Sequence, residues 1–133
     1  MAAGEMQAKP GGSRDALYKL WRKFRNAFSA TEMRTGAVWT DGKEIYRKVI
    51  DMGALPNAAT KNTAHGITGL LTVVSLRGMA SGSGTTQRPL PYADATLTVV
   101  VELDCDTTNV STRSTGNQSA FTASFAVIEY TKS

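Results

Sequence analysis

The sequence predicts a mainly β protein: an antiparallel β-sandwich preceded by one short amphipathic helix. Three observations carry that expectation. Only residues 14–29 show apolar spacing of three and four. From Ala37 onward the pattern changes to short alternating runs. Turn signals then recur about every 10–15 residues, the spacing of short strands joined by tight connections.

Residues 1–12 are small and polar and end in Pro10-Gly11-Gly12, which reads as an arm. Ser13 is suited to cap a helix, and Asp15 places a negative charge in its first turn, where the helix dipole favours one. Leu17, Leu20, Trp21, Phe24, Ala27 and Phe28 fall on one stripe, with Lys19, Arg22, Lys23 and Asn26 largely elsewhere. A helix of about four turns is marginal alone in water, so the stripe has to dock on something. Leu17, Leu20, Phe24 and Ala27 also match core positions of two heptads, which suits a short helical bundle.

Ala37-Val38-Trp39-Thr40 reads as a strand entering the hairpin dipeptide Asp41-Gly42, and Glu44 to Ile50 reads as the returning strand. Gly53 to Asn57 is a loop and Thr63 to Gly66 another break. Leu70 to Ala80 is a long β-rich run, followed by a loop over Ser81 to Thr86. Pro89 to Tyr92 is extended, and strands follow over Ala95–Asp104, Asn109–Thr112 and Ala120–Thr131. The last alternates, with Phe121, Ala123, Phe125 and Val127 on one face and Ser124, Ala126, Ile128 and Tyr130 on the other. Apolar residues on both faces imply that both are covered there.

Composition narrows the function. Of 133 residues, 41% are hydrophobic and 20% charged, which fits one globular domain. No apolar run approaches the roughly 18–20 residues of a membrane helix, and the first residues lack the apolar centre of a secretory signal. The net charge of +4 is confined to residues 1–35, which hold seven basic and three acidic residues. The other 98 residues balance at eight and eight. A basic amphipathic helix could lie on nucleic acid, on a membrane surface or on protein; packing on protein is the preferred reading, and no nucleic acid is expected.

Catalytic chemistry is poorly supplied. The single Cys105 cannot form an internal disulfide, and the acidic neighbours Asp104 and Asp106 should raise its thiol pKa. The single His65 lies in a turn-like stretch without a nucleophile pattern and reads as structural. Glu102, Asp104 and Asp106 would share one strand face, a solvated face rather than a cation site. Gly82-Ser83-Gly84 lacks the lysine and helix of a phosphate loop. No enzyme, cofactor or metal is expected.

One constellation goes beyond composition. Trp39-Thr40-Asp41-Gly42-Lys43-Glu44-Ile45-Tyr46-Arg47-Lys48 is followed in order by Leu55-Pro56-Asn57, His65-Gly66-Ile67, Pro89-Leu90-Pro91-Tyr92 and Ile128-Glu129-Tyr130-Thr131-Lys132. This series resembles the C-terminal β domain of bacteriophage tail-fibre and related virion surface proteins, and it spans residues 38–132. The resemblance implies a β-sandwich module, usually trimeric, displayed on a phage particle and often in contact with the host surface.

Two units are therefore expected: residues 1–36 as arm and attachment helix, and residues 37–133 as the virion module. Because about 36 residues precede the module, a short fibre is expected rather than a long one. Leu17, Leu20, Trp21, Phe24 and Phe28 are the expected attachment or oligomerisation contact. The expected partners are the chain itself as a homotrimer, other phage virion proteins, and a host surface glycan or protein. The expected location is the virion, at the tail, baseplate or head surface, after synthesis in the host cytoplasm. A capsid- or baseplate-stabilising decoration protein is the alternative, and a polysaccharide-degrading enzyme a more distant one.

Overall fold

A computed structural model describes residues 27–82 and 84–133. These form nine strands in two antiparallel sheets, with no helix among the described residues. The first sheet has five strands in the order β1-β2-β9-β4-β5: β1 Met33–Val38, β2 Glu44–Asp51, β9 Ala123–Lys132, β4 Leu70–Ser81 and β5 Gln87–Leu90. The second has four in the order β3-β8-β7-β6: β3 Thr60–Ala64, β8 Asn109–Ser114, β7 Val100–Cys105 and β6 Tyr92–Ala93.

The β1–β2 hairpin forms at the expected dipeptide. Gly42 occupies the left-handed region at φ +85°, and its N–H donates to the Trp39 carbonyl at 2.9 Å. The Asp41 carboxylate accepts from the Lys43 N–H at 2.9 Å, the local bond that suits Asp to such turns. The strand starts earlier than expected, at Met33, so the division after residue 36 falls inside β1. The irregular register between Arg34 and Val38 explains why alternation is hard to read there. Gly36 at φ +82° makes the bulge, and the Thr35 hydroxyl bridges it by donating to the Ile45 carbonyl at 2.7 Å.

Of the helix expected over residues 14–29, the described part is not helical: Ala27, Phe28 and Ser29 carry no helix. They run beside β2 instead, where the Ser29 carbonyl accepts from the Val49 N–H at 2.9 Å. Residues 14–26 lie outside the described residues.

Two other expectations are corrected. The strand expected from Ala95 begins only at Val100. Asp94 draws the preceding backbone into a turn, its carboxylate accepting from the N–H groups of Thr98 at 2.9 Å and Val99 at 3.2 Å. Thr60–Ala64 pairs with β8 along its length, although its lysine, asparagine and threonines gave no apolar signal. Between β5 and β6 the chain changes sheets at the cis Leu90–Pro91 bond.

Side chains from both sheets meet in one core. Ile50, Ala126, Ile128 and Tyr130 come from the first sheet and Val101 and Val110 from the second, joined by Met52, Leu55 and Ile67 from connecting loops. β9 lies at the centre of the longer sheet and pairs with both β2 and β4. Ala126, Ile128 and Tyr130, which the alternation placed on one face, point into the core.

Candidate functional site

The two sheets present different outer faces. On the four-stranded sheet the outward residues are polar and bonded to one another. The Ser111 hydroxyl donates to Asn62 at 2.6 Å, Arg113 Nε donates to the Thr60 hydroxyl at 3.0 Å, and Arg113 lies 3.6 Å from Glu102. Glu102 and Asp104 point to solvent here. Asp106 lies beyond β7, and its carboxylate accepts from the N–H groups of Thr108 at 2.8 Å and Asn109 at 2.7 Å. Such a face is satisfied by itself and by water.

The outer face of the five-stranded sheet is largely apolar. The register places Val49 beside Val127, and Phe125 beside Met79, which in turn neighbours Pro89. With Phe28, Ser29 and Ala30 these residues line an open groove of about 750 Å³. A smaller pocket of about 300 Å³ continues from Met79 and Phe125 toward Asp51, Ser81 and Gln87. Val127 and Thr131 are buried although both point away from the core. The Thr131 hydroxyl has no hydrogen-bond partner among the described residues.

A charged row closes one side of the groove. Arg47 on β2 donates Nε to Glu129 Oε2 at 2.9 Å, and its Nη2 lies 2.8 Å from the same oxygen. Arg77 on β4 approaches the other carboxylate oxygen at 3.4 Å. The Arg47 guanidinium also lies 4.3 Å from the centre of the Phe28 ring, and its Nη1 donates to the Ala27 carbonyl at 3.3 Å. Arg47 is thus held between a carboxylate and an aromatic face, a setting that suits the planar, weakly hydrated guanidinium. The arrangement fixes where the chain enters the sheet.

Of the five expected contact residues, only Phe28 is described; Leu17, Leu20, Trp21 and Phe24 lie outside the described residues. Phe28 is 57% exposed and sits at the groove rim on non-helical backbone. The groove floor was not foreseen as a site. Its signal was the apolar odd-numbered set Phe125 and Val127 on β9, opposite the core residues of the same strand.

His65 is buried as part of the framework. Its Nδ1 accepts from the Ile67 N–H at 3.0 Å, which assigns the ring proton to Nε2, 3.0 Å from the Asp106 carbonyl. Both ring nitrogens are thereby engaged by backbone. Cys105 is half-buried at the end of β7; burial, then the charges of Asp104 and Asp106, push its thiol pKa up, away from reactivity. Among the described residues no three His, Cys, Asp or Glu side chains converge as metal ligands. No helix among them is long and apolar enough to cross a membrane.

Comparison with protein-family models, with curated proteins and with solved structures finds no match.

Proposed function

We propose that this chain is a non-enzymatic structural module of a bacteriophage virion, a short fibre-type surface protein. In this reading the two sheets form an antiparallel β-sandwich, three copies associate, and the N-terminal segment holds the module on the particle. The exposed loops are then left to meet a host glycan or protein. The location is the virion surface, after synthesis in the host cytoplasm.

The observation that carries this reading is the ordered series of five motifs across residues 38–132. Their residues also support one another in the fold. Tyr46 of the first motif stacks on Tyr130 of the last, with ring centres 6.0 Å apart. Lys48 of the first bonds the His65 carbonyl of the third. Leu55, Ile67 and Leu90, from the three middle motifs, all lie in the core. Motifs whose residues build the interior carry information about the module and little about its ligand.

Charge supports attachment through the N-terminal end. Residues 1–26 hold six basic and two acidic residues, so the +4 of the whole chain belongs to them and residues 27–133 are neutral. A segment of that kind favours an acidic partner surface and speeds association with it.

The test is to label purified particles of the encoding phage with antibodies against the β body and to measure the mass of the free protein by light scattering. Labelling at the tail, baseplate or head and a trimer mass are expected. Absence of the protein from purified particles overturns the virion reading; a stable monomer at micromolar concentration overturns the trimer.

A further inference from the structure

We propose that the groove on the outer face of the five-stranded sheet is the seat of this chain's own N-terminal amphipathic segment, with Leu20, Trp21 and Phe24 filling it. The inference goes beyond the virion reading and fails separately from it, because it concerns how one chain covers its own sheet.

Position is the first argument. Phe28, Ser29 and Ala30 already line the groove, and the Ala27 carbonyl is held by Arg47 at its edge. The described chain therefore begins at the groove rim, with no linker between Ala27 and the lining residues. A ligand tethered at its own site has an effective concentration in the millimolar range or above, which a free partner seldom matches.

Chemistry is the second. The floor offers Val49, Met79, Phe125 and Val127, and its nearest charged neighbour is Arg77. Arg77 is already drawn to Glu129, and the floor offers no carboxylate to the lysines and arginines of a basic segment, so its apolar stripe is the face that can turn inward. The other sheet's outer face is closed by its own polar pairs, whereas the groove gathers contiguous apolar side chains, with Phe28 and Phe125 still exposed.

Dimensions agree. From β2 to β5 the sheet spans three strand spacings, about 14 Å. Residues 14–26, taken as a helix, would extend about 20 Å, enough to cross from the Ala27 anchor to Pro89. With the apolar side chains on the sheet, attachment to a particle falls to Lys19, Arg22 and Lys23, the cations that helical spacing places off the stripe.

The test uses the full chain with Cys105→Ser. Cysteines placed singly at Leu17, Leu20 or Phe24 are each combined with Met79→Cys and oxidised at micromolar concentration. At least one pair is expected to close within a single chain, seen as a monomer-mass species with altered mobility. Cross-links only between chains would assign the groove to a second copy, and no cross-link in any pair would leave it to an outside partner; either result overturns the proposal. A thermal cycle on the uncross-linked protein gives an independent reading. Trp21→Ala and Met79→Ala should each lower Tm by several degrees, with the double variant losing clearly less than the sum. Strict additivity overturns the contact.

Discussion

Lys48 on β2 donates its ammonium to the main-chain carbonyl of His65 at 2.6 Å, so two sequence motifs 17 residues apart are joined inside the molecule. The same histidine closes the turn at the end of β7 through the Asp106 carbonyl. The imidazole therefore joins the loop after β3 to the turn after β7 as a two-ended clamp, and Lys48 ties β2 to the same residue through its main chain.

Replacing His65 by Ala should accordingly destabilise the β body by about 3 kcal/mol. The loss combines a cavity with two backbone groups left without partners. Urea unfolding followed by tryptophan fluorescence in a Trp21→Phe background, which leaves Trp39 as the reporter, measures it. Lys48→Met keeps the ring and removes the bond to the His65 carbonyl together with one positive charge near Glu32, and should cost about 1 kcal/mol. A His65→Ala variant with a wild-type midpoint would show that the ring carries no structural load.

The Glu32 carboxylate predicts a response to acid. It accepts from the Tyr130 hydroxyl at 2.5 Å and from Lys132 Nζ at 3.0 Å. Partial burial pushes its pKa up, but the bonds from Tyr130 and Lys132 and the nearby ammonium charges outweigh that and hold it below the ordinary carboxylate value. A depressed folded pKa means that this stabilisation is present above the unfolded pKa of about 4.3 and is lost as pH falls through the folded value. Glu32→Gln should lower Tm at pH 7, and the gap from wild type should shrink below pH 4. A gap that stays constant down to pH 3 would refute the assignment.

Tyr130 predicts the opposite limb. Burial, then the bond to Glu32 and its negative charge, push the phenol far above its ordinary pKa. A raised folded pKa keeps its contribution whole below the unfolded value of about 10 and removes it as pH climbs beyond. Tyr130→Phe should cost about 1.5 kcal/mol at pH 7 and flatten the alkaline fall in Tm above pH 10.

Most of this framework was legible in the sequence, and what was not has local causes. The Asp41-Gly42 hairpin, the long β4 run and the alternation of β9 each combine backbone preference with a buried face, so propensity and packing agree. β3 was missed because its pairing with β8 is carried by threonines, Asn62 and Lys61, whose outward contacts are hydrogen bonds. Residues 27–29 kept helical spacing in sequence but were taken by the edge of β2, an example of tertiary hydrogen bonding overriding periodicity. The outer-face groove depends on register between strands far apart in sequence. Val49 and Val127 become neighbours only when β2 and β9 pair.

The close approach of β4 and β9 predicts a steep cost at Gly78. A Cβ there would stand 2.5 Å from the Phe125 carbonyl oxygen, part of the neighbouring strand's backbone. Gly78→Ala should therefore destabilise by more than 2 kcal/mol, since the central strand pair must move apart. Gly42→Ala meets nothing within 4 Å, but its φ of +85° disfavours any side chain, and a loss near 1 kcal/mol is expected. Comparable losses at the two sites in chemical denaturation would contradict the tight packing of β4 on β9.

The Arg47–Glu129 pair predicts a coupling that surface ion pairs do not show. Both side chains are largely covered, at 14% and 18% exposure, and Arg47 is further held by the Phe28 ring and the Ala27 carbonyl. Removing one charge leaves the other poorly hydrated, so Glu129→Gln or Arg47→Met alone should cost about 2–3 kcal/mol. Removing both charges avoids the stranded ion, and the double variant should lose at least about 1 kcal/mol less than the sum. Arg77, half-exposed at 3.4 Å from Glu129, should contribute under 1 kcal/mol when changed to Gln. Salt separates the cases: half-molar NaCl should weaken the Arg77 contribution and leave the Arg47 coupling nearly intact, because covered pairs are screened less. Arg47→Met should also release the chain entry at Ala27 and Phe28, read as faster proteolysis before residue 33 without loss of the β body. If the cycle is additive and that cleavage unchanged, Arg47 is no more than another surface cation.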